Sequence, residues 1–344
     1  MTLHAGIPAF LAESIVHSLD PVVVHISGGL AVRWYGVAYL SGFVVAWIAT
    51  HLMAKRGVIP LRVGQVGDFM TACVVGVVVG GRVGHVLFYD PHLLWTFHSG
   101  FPFWGLLDLH KGGMSSHGGM LGTFLAMVWF ARRQGIPLLA MCDLVCFTAP
   151  AGLMFGRLAN WVNGELWGRV LPDSMQGDPP AWSVKFPEEA VLIALQSRHD
   201  HPNDPAAAQA LAVAQDLYTQ TYAGSQLAAQ QIAQLVPARY PSQFIQALTD
   251  GPILVAILVL VGLKPRPAGT VFAVFFMAYG VLRVVSEHFR EPDAGVFAIG
   301  LVTLPMILSG AMVVLGLGLL QLSRVTKQPL VGGLLRAGNA PQGR

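Results

Sequence analysis

An arginine, two asparagines and a glutamate stand close together in FGRLANWVNGELWG (residues 155–168), directly after an apolar run from Leu138 to Phe155. A guanidinium presents a planar fork of donors that fits phosphate oxygens and keeps its charge where water is scarce. Arg157 and Asn160 are three residues apart, so a continuous helix sets them on one face. Gly164 is placed to end that helix, with Asn163 and Glu165 on either side of it. A second polar series, Tyr279, Arg283 and Glu287, recurs at every fourth position in YGVLRVVSEHFREPD and forms one helical stripe. Arg290, Glu291 and Asp293 continue the series beyond it. Guanidiniums on two separate helices point to a shared anionic ligand. The competing reading is a polar lock between helices, with Arg157 paired to Glu287 or Glu165.

Three more polar residues sit in apolar surroundings. His117 lies in GGMSSHGGMLG, where clustered glycines argue for bent backbone near a ligand; a single histidine there can equally be a satisfied structural donor. Arg82, in VVGGRVGHVLFY, is flanked by glycines that let helices approach, and it either snorkels or meets an acid. Asp143 reads as an acid near the start of its own helix, favoured by the helix dipole. Nothing resembles a phosphate-binding glycine loop, a nucleophile elbow or a zinc pattern, so no metal or cofactor is expected. Cys73, Cys142 and Cys146 all lie in apolar stretches and read as packing residues.

The elements that must position these groups are set by composition. Of 344 residues, 54% are hydrophobic and 11% charged, against roughly 25% charged in soluble domains. That balance describes an all-α, polytopic membrane protein. A formal net charge of +3 with no long basic run excludes a nucleic-acid stripe. Apolar runs long enough to span predict seven transmembrane helices, near 34–54, 68–89, 115–131, 138–161, 243–263, 268–289 and 301–322. The third is the shortest in its apolar part, and the aromatic stretch 93–109 reads as an interfacial segment. A charged group at mid-membrane costs about 2.5–3.5 kcal/mol, so the Tyr279–Arg283–Glu287 stripe must face protein.

Lysines and arginines fall in alternate short loops: Lys55, Arg56 and Arg62; Arg132 and Arg133; Lys264 and Arg266; then Arg324, Lys327, Arg336 and Arg344. The positive-inside rule then places the N-terminus outside and the C-terminus in the cytoplasm. The long loop near 164–240 becomes an extracytoplasmic arm, whose Ala/Gln-rich part, 205–235, predicts one or two helices. Residues 1–330 read as one membrane-embedded catalytic domain and 331–344 as a disordered tail.

The residues alone describe an outer-leaflet cavity for an anion carried on apolar chains, and a phospholipid headgroup fits best. At this point the chain resembles the prolipoprotein diacylglyceryl transferase family. The resemblance is carried by RWYG (33–36), SSHGGMLG (115–122), GRLANWVNGELWG (156–168), YPSQ (240–243) and YGVLRVVSEHFREPD (279–293), in matching order. It implies a seven-helix enzyme of the bacterial inner membrane that moves diacylglyceryl from phosphatidylglycerol to the lipobox cysteine of a prolipoprotein signal peptide. It implies Arg157 and Arg283 at the phosphate and His117 as candidate base, with Glu165 or Glu287 as alternatives. It also implies binding or orienting roles for Tyr35, Asn160, Asn163, Glu165, Tyr279 and Glu287, and Gly168 near the headgroup. The chain departs from the family pattern at Lys111, Ser116 and Phe244-Ile245-Gln246, where an acid, an aromatic residue and Leu-Tyr-Glu are common. A transporter or flippase for anionic lipid would use the same arginines but should show a repeat between halves, and none is evident. A third reading makes the stripe helix glue in a non-catalytic scaffold.

Overall fold

The computed structural model describes residues 14–25, 31–108, 112–292, 298–299 and 302–335; Lys111 and Asp293 lie outside them. The helices in chain order are α1 (Trp34–Lys55), α2 (Val66–Phe88), α3 (Ser116–Gln134), α4 (Leu138–Val162), the single turn α5 (Asp173–Gln176), α6 (Pro187–Asp200), α7 (Pro205–Tyr222), α8 (Gln226–Ala233), α9 (Ser242–Leu248), α10 (Leu254–Gly262), α11 (Thr270–Glu287) and α12 (Leu304–Val325). A π-helical turn, Thr249–Ile253, joins α9 to α10. Short strands pair in twos: β1 (Ile15–Val16) with β4 (Val184–Lys185), β2 (Val22–His25) with β3 (Ala31–Arg33), β5 (Pro265–Pro267) with β8 (Leu330–Gly332), and β6 (Ala298–Ile299) with β7 (Val302–Thr303).

Six helical runs are long and apolar enough to cross a bilayer, Trp34–Lys55, Val63–Phe88, Leu138–Val162, Ser242–Gly262, Thr270–Glu287 and Leu304–Val325. The protein is therefore a multi-pass membrane protein. The third expected span forms as the helix α3 but is not among the six: it opens on Ser116 and His117 and closes on Arg132 and Arg133. The start of the tail expected to lack structure is ordered: Leu330–Gly332 pairs with Pro265–Pro267, because extended proline-flanked backbone offers it an open edge.

The chain, read from sequence as one domain, divides into two compact units. One contains Met1–Gly42, Pro150–Leu254 and Ala278–Val313; the other contains Phe43–Ala149, Val255–Met277 and Val314–Arg344. In the second unit, α2 and α3 lie glycine to glycine. A Cβ on Gly76 would come 2.6 Å from the Gly122 carbonyl, and one on Gly84 would come 2.7 Å from the Gly118 Cα. Small residues four apart let two helices approach this closely. The glycines around His117 thus mostly serve helix packing. Bent backbone is confined to Gly112 and Gly113, at φ +82 and +81. Apolar packing in this unit centres on Phe69, Met127, Phe130, Met141 and Leu144.

Two buried charges in the second unit hold backbone. Arg82 donates to the carbonyls of Gly105, Leu106, Gly112 and Gly113 and pairs with no acid among the described residues, so it does not snorkel. Asp143 accepts from the amides of Gly269 and Phe272, each at 2.7 Å. It caps the N-terminus of α11 rather than its own helix, because those first-turn amides have no partner within α11.

In the first unit, α6, α7 and α8 share a small core of Ala190, Ala194, Ala214, Ile232 and Val236. The Ala/Gln stretch accordingly forms two helices with an apolar side. His17 is buried between this layer and α4. Its Nε2–H donates to the Trp161 carbonyl, since a carbonyl only accepts, and its Nδ1 therefore accepts from the Tyr222 hydroxyl; both distances are 2.8 Å. Burial holds this imidazole below its usual 6.5. The unfolded chain takes up a proton near 6.5 and the fold does so only at lower pH. His17 therefore contributes stability above 6.5 that is lost as pH falls through its lowered value, by up to about 1.4 kcal/mol per pH unit.

Two outcomes follow for full-length protein in detergent. Acidification from neutral pH should lower the thermal midpoint, and His17→Gln should flatten that dependence; an equal slope in both proteins would contradict this role for His17. Gly122→Val should cost about 1–3 kcal/mol through overpacking, and an unchanged midpoint would contradict the close approach.

Candidate active site

The first unit gathers nine of the ten residues singled out from sequence. Helix α4 ends as Gly164 turns left-handed at φ +67. The Gly164 amide bonds back to the Trp161 carbonyl and the Glu165 amide to that of Asn160, which closes the last turn. That turn returns Glu165 to the side of Asn160. The Tyr35 hydroxyl, from the start of α1, donates to Glu165 Oε2 at 2.6 Å and also meets the Asn160 side-chain oxygen. Asn163 reaches the same hydroxyl.

Arg157 lies one turn deeper on α4. Its Nε–H donates to Asp250 Oδ2 at 3.0 Å, and the Asp250 side chain is 0% exposed. Neither Glu287 nor Glu165 is its partner, as the polar-lock reading had it, because the π turn carries an acid into the interior directly opposite. Arg157 also donates to the Tyr279 hydroxyl. Arg283 pairs with Glu287 at 2.8 Å across one turn of α11, and Arg290 approaches the other oxygen of Glu287 at 3.5 Å. The two guanidiniums, Arg157 and Arg283, lie within each other's electrostatic field. Positive and negative groups alternate, and among the described residues Arg157 and Arg283 each commit only part of the fork to a carboxylate.

His117 belongs to the other unit. It sits exposed on the first turn of α3, where Ser115 caps the helix by accepting from the Gly118 amide. Its ring makes no hydrogen bond or ion pair to another described residue.

The rest of the 156–168 motif is a backbone device. Leu166 is held in the left-handed region at φ +56, a conformation that costs a branched side chain about 1 kcal/mol or more. Ser242 Oγ donates to its carbonyl at 2.8 Å, and Gln243 Nε2 donates to the Glu165 carbonyl at 2.7 Å. The YPSQ segment thereby fixes the turn that aims Glu165. At Gly168 a Cβ would strike the Tyr240 carbonyl, so only glycine lets the two backbones meet. Arg239, absent from the sequence reading, grips Glu189 with two N–H groups at 2.6 and 2.8 Å, donates to the Gly168 carbonyl at 2.7 Å, and lies over the Trp167 ring. It ties α6 to the signature turn. Asp250 was also missed, although an acid inside the apolar fifth run carries the same cost signal as the arginines.

These features define a multi-pass helical membrane protein with a largely buried cluster of arginines and carboxylates. The prolipoprotein diacylglyceryl transferase family profile matches residues 21–322, and the chain belongs to that family. It is 39% identical over 331 residues to the phosphatidylglycerol–prolipoprotein diacylglyceryl transferase of Bdellovibrio bacteriovorus, covering 88% of this chain and 92% of that one. The enzymes of the same name from Bradyrhizobium diazoefficiens and Agrobacterium fabrum are 35% and 34% identical, over 89% and 90% of this chain.

Gly168→Ala should cripple folding of the signature turn. The expected outcome is loss of most folded protein, or a thermal midpoint lowered by several degrees; a stable protein with parental activity would contradict the backbone role.

Proposed function

We propose that this protein transfers the diacylglyceryl group of phosphatidylglycerol to the lipobox cysteine thiol of prolipoproteins. The observation that supports this most strongly is the convergence of Arg157 and Arg283, from two helices, in one buried electrostatic neighbourhood. In the reaction, sulfur attacks the glycerol carbon of the lipid and a C–S bond forms. The C–O bond to phosphate breaks, and its electron pair stays on the departing glycerol 1-phosphate. Charge therefore grows on the phosphate as the barrier is crossed. Preset guanidinium donors stabilise that charge without reorganising, and this is how such sites accelerate reactions.

The thiol, with an ordinary value near 8.5, must give up a proton. Glu287 is a poor acceptor, because Arg283 and Arg290 take up its two oxygens. By the family resemblance His117 is the candidate base, with Glu165 as the alternative. Tyr35, Asn160, Asn163 and Glu165 form a hydrogen-bonded rim that orients lipid or peptide, Tyr279 steadies Arg157, and Glu287 steadies Arg283. Family membership speaks against the transporter reading.

The proposed setting is the bacterial inner membrane. Seven spans are proposed: the six apolar runs and α3, whose contact with α2 compensates its weaker hydropathy. The N-terminus and the α6–α8 arm then lie outside the cell and the C-terminus in the cytoplasm, following the lysine and arginine distribution.

Lysine substitutions test the clamp without leaving Asp250 or Glu287 unpaired, since a lone buried charge costs about 3–5 kcal/mol by itself. Arg157→Lys and Arg283→Lys should accumulate normally. Each should lower thioether formation on a lipobox peptide by at least about tenfold, because an ammonium cannot form the fork. Normal activity in both would refute the assignment. Alkaline phosphatase fused after Lys327 should be inactive in cells, and an active fusion would reverse the topology.

A further inference from the structure

We propose that Gln246 and Asp250 form a buried subsite for the hydroxyl-bearing end of the lipid headgroup, beside the guanidinium pair; this rests on the transferase reading above. Both residues are shut away from solvent, Asp250 at 0% and Gln246 at 1% exposure. They stand one turn apart where α9 runs into the π turn, so they share a face. Asp250 commits Oδ2 to Arg157 at 3.0 Å. Its Oδ1 has no hydrogen-bond partner among the described residues, and neither polar atom of the Gln246 side chain has one. Two acceptors and an amide donor are thus left unspent in one buried place. Folded chains rarely strand such groups, because each has given up its hydration for nothing. A ligand that carries hydroxyls inward restores those bonds.

Charge narrows the choice of ligand. Arg157 and Arg283 lie within each other's electrostatic field, each beside a carboxylate. An ammonium headgroup would bring a further cation among the guanidiniums. The hydroxyls of a terminal glycerol add no charge, donate to Asp250 Oδ1 and Gln246 Oε1, and accept from Gln246 Nε2. The pair therefore selects a polyol headgroup over an amine or a plain alkyl one.

The test uses full-length protein in detergent micelles, a lipobox peptide, and either phosphatidylglycerol or phosphatidylpropanol, which keeps the phosphodiester and lacks both hydroxyls. Parental kcat/KM for thioether formation should favour phosphatidylglycerol by at least about tenfold, the worth of one or two buried hydrogen bonds. Gln246→Leu should bring that ratio to within about twofold of unity. A glutamine with a purely structural role would lower both rates together and leave the ratio alone. Should Gln246→Leu fail to accumulate, Gln246→Met, closer in shape, is read in the same way. Equal use of both lipids by the parent, or a parental ratio in the leucine or methionine variant, overturns the subsite alone. Thioether from neither lipid overturns the transferase reading and the subsite with it.

Discussion

The arrangement depends on keeping guanidinium charge buried among membrane-spanning helices. A lone arginine there is costly, and its carboxylate partners must arrive from fixed directions. Arg157 receives Asp250 from the π turn, and Arg283 and Arg290 share Glu287 one turn away on α11. Each acid lowers the cost of its arginine without consuming the whole fork. Among the described residues, Arg157 and Arg283 each keep part of the fork off their carboxylates. More acids would turn the cluster into an inert lock; fewer would leave the arginines too costly to bury.

Around that cluster, much of the polar sequence holds backbone. The left-handed Gly164 folds Glu165 back toward Asn160 and Tyr35. Ser242 and Gln243 hold the strained Leu166 turn from a segment more than seventy residues away in sequence. Arg239 carries the same turn onto α6 through Glu189. Helix α6 is thereby tied to the signature motif. A surface insertion with no such tie would drift relative to the turn it flanks.

The legible part of the fold is the part governed by local rules. Apolar run length located the six spanning helices to within a few residues, and fourfold spacing put Arg283 and Glu287 on one stripe. Gly164 marked the end of α4 because only a left-handed residue closes that turn cheaply. What stayed hidden depends on long-range pairing. The partner of Arg157 comes from 93 residues away, and Asp143 caps a helix that begins 127 positions later. The glycines near His117 looked like a ligand loop because helix packing and bent backbone call for the same residue, and only the facing helix α2 separates the two. Gly168 was placed in the right motif, but its contact with Tyr240 could not be read without the partner backbone.

The central claim is that Arg157 and Arg283 hold one phosphate together. The most direct measurement is a structure of the full-length protein in a lipid nanodisc containing phosphatidylglycerol. A single headgroup phosphate should lie within about 3 Å of N–H groups from both guanidiniums. A phosphate bound to one arginine alone, or a headgroup seated away from both, would contradict the account.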